Sequence, residues 1–207
     1  MLRTALASAV VLAAAIPASA SIIGTTGSAQ QIAAPPSCFP GALINPLVQV
    51  WDEQQGRPSS ATLCDMTVNA SIVTTGGVGA TPGVISGVVD SHFIHYDFPG
   101  GPAVSGTVTF SGTIVGVAYQ DQFLDLSDGF GAFGTAYPTG FTTRGWNQVG
   151  SIAISGNTLS FNFVPNAAGL IDPEQVRVFT QPVPTPGTAA LAGLGALALI
   201  RRHRRSK

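Results

Sequence analysis

The sequence predicts an all-β fold: a single antiparallel β-sandwich, jelly-roll-like, set between an N-terminal leader and a C-terminal apolar helix. Three observations predict it. Charged residues make up only 9% of the 207 residues, while 25 glycines and 15 prolines supply turns at a density that suits many short strands. Apolar residues alternate with small polar ones through residues 37–181. Helical spacing of apolar residues is confined to the two termini.

Charge narrows the function classes. The formal net charge of −1 hides an uneven distribution. Between Ser21 and Gln181 stand ten acidic residues and three basic ones, Arg57, Arg144 and Arg177, a net of −7. That excludes an electrostatic nucleic-acid binder, which needs a basic face.

Residues 1–20 read as a secretory signal peptide. Arg3 gives the positive start, Leu6 to Ile16 the apolar stretch, and Ala18-Ser19-Ala20 the small-residue cleavage site, with cleavage after Ala20. Signal peptidase and the secretion machinery are the implied partners. Residues 21–36 are small, polar and Pro-ended, the composition of a flexible lead. Cys38 and Cys64 follow, and two cysteines in an exported chain predict one disulfide. Its loop closure would contribute about 3 kcal/mol.

The body reads as about eight strands, which an apolar face on each would stack into two sheets. Leu43 to Trp51 is the first, with Pro46 marking an edge or bend, and residues 52–56 form a turn. Leu63 to Val73 is the second, before a Gly-rich loop from Thr74 to Pro82. Val84 to Phe98 is long enough for one strand or two. Gly106 to Tyr119 alternates around Val108, Phe110, Ile114 and Val117. Ile152 and Ile154, then Gly156-Asn157, then Leu159, Phe161 and Phe163 are the pattern of a β-hairpin. Val176 to Thr180 closes the body.

The tail, residues 182–207, has three parts. Pro182, Pro184 and Pro186 fix φ and remove donors, so this piece is extended. Residues 188–200 are uncharged and rich in Ala and Leu, a transmembrane helix shorter than the ~20 residues of a full span. Arg201, Arg202, Arg204 and Arg205 form a basic stop that stays cytoplasmic, which puts the body outside. This order resembles the PEP-CTERM sorting signal of bacterial exported proteins, also catalogued as the ice-binding protein C-terminal domain. The motif residues are Val183, Pro184, Thr185 and Pro186, with Thr185 where the family usually has Glu, a Pro-Thr-Pro variant. The resemblance implies recognition by an exosortase-type processing enzyme. It also implies an exported protein that is first membrane-anchored, then at the cell surface or outside, in a setting of extracellular polysaccharide. Residues 51–56, 89–93, 143–145 and 154–159 resemble segments that recur in uncharacterised members, and these bring no activity with them.

Candidate chemistry in the body is sparse. His92 and His95 stand near Asp90 and Asp97, but residues three apart on a strand face opposite sides and cannot share a metal without a bulge. Asp121, Asp125 and Asp128 are hard oxygen ligands that a loop could converge on calcium, although their spacing is not the EF-hand pattern. Otherwise they are a solvated acidic loop, or a helix cap at Ser127. Asp52 and Glu53 pair on paper with Asp90 or Asp97 as glycosidase carboxylates, as acids in any such chain do. The residues around Ser86 are no nucleophile elbow, and Gly76-Gly77-Val78-Gly79 lacks the Lys of a phosphate loop. Asn69-Ala70-Ser71 fits a glycosylation site in form only. Trp51, Tyr96, Phe98, Tyr137, Phe141 and Trp146 would line a sugar-binding surface if exposed, and fill the core if not. No catalytic residue, metal or cofactor is expected. The reading is a non-catalytic structural or interaction protein; the alternative is a carbohydrate- or calcium-binding module.

Overall fold

The structure, a computed structural model, describes residues 21–67, 73–74, 81–142, 144–146, 150–164 and 172–183. The leader, the sorting motif beyond Val183, the apolar run 188–200 and the basic stop lie outside the described residues, as do Asn69-Ala70-Ser71 and Gly76 to Gly79. Among the described residues no helix is long and apolar enough to cross a membrane.

In chain order the strands are β1 (Ile22–Gly27), β2 (Ala29–Gln31), β3 (Val48–Asp52), β4 (Arg57–Cys64), β5 (Met66–Thr67) and β6 (Val73–Thr74). Then come β7 (Gly83–Tyr96), β8 (Val104–Phe110), β9 (Ile114–Ala118), β10 (Gly150–Ser155), β11 (Thr158–Phe163) and β12 (Glu174–Thr180). One helix, α1 (Asp121–Ser127), and a 3-10 turn, Asp128–Phe130, follow β9.

The all-β class holds, in a sandwich-like arrangement of two sheets. The first sheet is antiparallel, in the order β1-β8-β11-β10-β6. The second runs β2-β3-β7-β12-β9-β5, and β4 pairs with the first half of β7. It is mixed rather than purely antiparallel, because β2 lies parallel to β3.

That parallel pair comes from a segment the sequence marks as a lead. Residues 21–36 carry β1 and β2, one run of chain broken at Ser28 so that it serves both sheets. Gly27 makes the break, at φ 65, where a Cβ would collide with the Ser105 carbonyl. Ser28 N–H donates to Ser105 of the first sheet at 2.9 Å, and its carbonyl accepts from Val48 N–H of the second at 2.9 Å. Small polar residues serve here because β1 is an edge strand that buries little besides Ile22.

Two apolar layers form. Between the sheets Ile22, Val108, Phe110, Ile152, Leu159, Phe161 and Phe163 meet Val48, Val50, Ile94, Tyr96, Val117, Val176 and Val178. Behind the second sheet Trp51, Phe93, Ile85, Val89 and Phe179 pack with Leu124 of α1 and with both cysteines. Each such buried aromatic contributes about 1.5–3 kcal/mol over its exposed state. β12 is therefore buried along its whole length, on both faces. α1 was not visible as a helix because two turns with only Leu124 and Ser127 buried show no period.

The hairpin is as the sequence indicates: β10 pairs with β11 across Gly156-Asn157, with Gly156 at φ 62. The stretch Val84 to Phe98 is one strand rather than two, β7, whose 14 residues end at Tyr96. Gly106 to Tyr119 divides instead into β8 and β9, which lie in different sheets.

Candidate functional site

The chemistry of the body gathers on the outer side of the second sheet, around two arginines that have no exposed surface. Arg177 sits on β12, among alternating apolar residues that face the inner core. Alternation turns Gln175, Arg177 and Phe179 the other way, toward α1. Arg177 Nε and Nη2 donate to the two carboxylate oxygens of Glu53, at 2.8 and 3.0 Å. This is the bidentate geometry that a guanidinium favours. Its Nη1 donates to Leu124 O, Ser127 Oγ and Asp128 Oδ1, at 3.1, 2.8 and 3.0 Å. The rings of Phe93 and Tyr137 lie 4.9 and 5.0 Å from the guanidinium carbon.

Asp128 hands the charge on. Its carboxylate also accepts from Arg144 Nη1 and Nη2, at 2.7 and 3.0 Å. Arg144 Nη1 donates to Asp125 as well, at 2.8 Å. Burial works to raise Asp128, but the Arg144 hydrogen bond and the charges of both arginines outweigh it and hold its carboxyl below the usual range. Burial also opposes the charge on Arg177, and Glu53 overrides it, so Arg177 stays a cation. Glu53 accepts further from Ser91 Oγ and Tyr137 Oη. Burial, and then the Glu53 charge, push the Tyr137 phenol up, which keeps it a donor.

This network is where the calcium candidates are. Asp125 and Asp128 do converge, but on Arg144, whose guanidinium takes the position a cation would need. Asp121 takes no part in that convergence; burial and Asp125 push its carboxyl up. The acids also organise the next loop: Asp125 accepts from Gly140 N–H at 2.8 Å and Asp128 from Thr139 Oγ1 at 2.6 Å.

The disulfide is not formed; Cys38 and Cys64 are both free and buried. Cys38 O accepts from Gln175 Nε2 at 2.9 Å, whereas Cys64 Sγ lies against Gly116, which pairs with Phe179. Gln175 and Phe179 are about 13 Å apart along β12. A bridge needs Cα atoms within about 7 Å. Burial pushes each thiol up to about 12, far from a reactive thiolate.

The histidines separate as their spacing requires. His95 faces the outer layer, with its ring 6.2 Å from that of Trp51. Gln175 accepts from Arg144 Nε and donates to Cys38 O, so its Nε2 is also the donor to His95 Nδ1, at 3.3 Å. The neutral ring then carries its proton on Nε2, 4.0 Å from Asp97. Burial holds His95 neutral, down to about 3.

His92 faces the inner layer, its ring 4.6 Å from that of Phe110. Its Nδ1 is 2.7 Å from Asp52 Oδ1 and its Nε2 is 3.0 Å from Thr180 Oγ1. Acid, imidazole and hydroxyl stand in the order used for nucleophilic hydrolysis. However, His92 and Thr180 have no exposed surface, so no substrate carbonyl reaches the hydroxyl. Glu53 turns away from this trio into the arginine network, so Asp52 and Glu53 do not form a carboxylate pair. Asp90 is buried and accepts from Gly56 N–H.

The aromatic surface does not assemble. Trp51, Tyr96 and Trp146 are buried, Phe98 and Tyr137 are partly buried, and of these six rings Phe141 alone is exposed. Ser86 lines a groove of about 450 Å³ with Thr67, Val84, Val88, Val115 and Gln181, and no titratable group shares that lining.

Sequence reasoning missed Arg144 and Arg177. The signal was their rarity: with three basic residues in the body, an arginine inside the apolar run 176–179 has to meet buried acids. A scan against protein-family models matches none, and neither the curated proteins nor the solved structures contain a match.

Proposed function

We propose that this is an exported, non-catalytic structural or interaction protein, processed at both ends and held at the membrane before it reaches the cell surface or matrix. The observation that carries the reading is the order of segments along the chain, a leader with a small-residue cleavage site before the body and a proline motif, an apolar run and a basic stop after it. The described residues from Ser21 to Val183 belong to one compact unit. In the sequence Ser21 follows the small-residue cleavage site, and Val183 begins the Val183-Pro184-Thr185-Pro186 motif. Cuts at these two points would release the body with its strands intact.

The partners in this reading are signal peptidase, an exosortase-type enzyme, the membrane and, outside, extracellular polysaccharide. The titratable groups support a passive body. Arg144, Arg177 and Glu53 are buried and take their partners from the chain itself. A carbohydrate- or calcium-binding module has less support, since the rings pack inward and Asp125 and Asp128 hold Arg144.

Fractionation of the native host tests this, with Pro184→Ala/Pro186→Ala beside the wild type and an antibody to the body as readout. The wild type is expected in the surface or released fraction, and the double variant retained in membranes. Equal distribution of the two would overturn the sorting role of the motif.

A further inference from the structure

We infer that removal of the leader completes a charged site: the new α-ammonium of Ser21 docks against Asp52 and locks the first strand onto the body. The inference rests on cleavage after Ala20, the reading given above.

Ser21 is held on both sides. Its N–H donates to Ser111 Oγ at 2.9 Å, and its carbonyl accepts from Ser111 N–H at 2.9 Å. The next residue is fixed to Asp52, with Ile22 N–H donating to Oδ1 at 3.1 Å. Consecutive backbone nitrogens lie under about 4 Å apart, so Ser21 N is within about 7 Å of that carboxylate. Asp52 Oδ1 already serves Ile22 and His92, while Oδ2 takes no hydrogen bond among the described residues. The Asp52 side chain keeps 32% of its surface exposed, so an incoming donor can reach it.

In the precursor Ser21 N is an amide with one proton, which Ser111 takes. Hydrolysis of the Ala20–Ser21 bond consumes one water and yields the Ala20 carboxylate and the Ser21 ammonium. That group has three protons and a charge. One proton stays on Ser111 Oγ, leaving two for Asp52. The titratable groups facing the ammonium are Asp52 from β3 and, behind it, His92 from β7; Ser111, Phe110 and Thr180 are neutral. The precursor lacks this contact, so the body gains its full stability only after the leader is cut.

The sign follows from the charge. Asp52 favours the protonated amine, which raises it above the ordinary 7.7–8.0. The stabilisation is therefore complete below about pH 7.7 and lost as pH rises through the higher, folded value.

The protein purified from its host is the material for the test, with its N-terminal residue read by mass. Lys207 is the one lysine of the chain, so an acylating reagent has the α-amine as its single amine target once the tail is gone. Acetylation is expected to lower Tm by about 2–4 °C at pH 6.5. The gap should close by pH 10 and be absent in Asp52→Asn. Independently of any variant, the pH dependence of the acylation rate should place the amine above its ordinary range. A Ser21 terminus with no Tm gap and an ordinary amine overturns this inference alone. A different N-terminal residue overturns the cleavage reading and this inference together.

Discussion

Arg177 is the residue on which the outer layer depends. Its guanidinium links β12 to Glu53, to the end of α1 and to the 3-10 turn. Arg177→Met leaves Glu53 and Asp128 buried without that cation, at a cost of about 3–5 kcal/mol. Thermal unfolding should show a fall in Tm of about 10–15 °C. Arg177→Lys should recover little, because an ammonium cannot span Glu53 and Asp128 as a planar fork does. A Tm within two or three degrees of wild type (under about 1 kcal/mol) would contradict this role.

His95 and Asp65 give opposed pH dependences. An unfolded histidine takes up a proton below about pH 6.5, whereas burial denies it to native His95 down to about 3. Its contribution is complete above pH 6.5 and declines as pH falls toward 3. Burial raises Asp65 to about 6, against the N–H groups of Gln120 and Tyr119. The native state holds that proton longer than the unfolded chain. Its contribution is complete below about 3.8 and lost as pH rises through 6. Denaturant titrations at pH 7 and pH 5 separate the two. His95→Gln should remove an acid-linked loss on the order of 2 kcal/mol at pH 5. Asp65→Asn should shift the pH 5 to pH 7 difference the other way. Parallel slopes for wild type and both variants would refute the assignment.

The individual residues were legible in part. The separation of His92 from His95 follows from strand alternation alone. That Asp125 and Asp128 converge on an arginine is not legible, because Arg144 comes from a loop whose path depends on the acids it binds.

Among the elements, β1 carries the clearest test. Its sequence, Ile-Ile-Gly-Thr-Thr-Gly, buries a single residue well and looks like linker. Yet it pairs with β8 along its length and covers the end of the inner core with Ile22. A chain lacking residues 21–27 should expose the β8 edge and that core. Size exclusion should show association, and Tm should fall. An unchanged monomer with unchanged Tm would return the segment to the status of a lead. The hairpin β10–β11 was legible because a local turn and two alternating runs specify it. The stretches buried on both faces were less so, since β12 and the second half of β7 carry polar residues on both sides, Arg177 and His95 toward the outer layer and His92 and Thr180 toward the inner one. β2 was hidden because nothing local announces a parallel pairing across the loop 32–47.

At the scale of the molecule, the proposed function joins a β-body to processing at its two ends. The body presents few charges, keeps its arginines Arg144 and Arg177 inside and holds its thiols buried. In the sequence the two segments that read as addresses stand directly before Ser21 and from Val183 onward. The most direct measurement is the intact mass of the protein recovered from its native host, beside Pro184→Ala/Pro186→Ala. The account predicts a wild-type mass lacking residues 1–20 and the tail beyond the proline motif, and a variant that keeps its tail. A wild-type protein recovered with residues 188–207 still attached would contradict the sorting claim and leave an exported domain anchored by its tail.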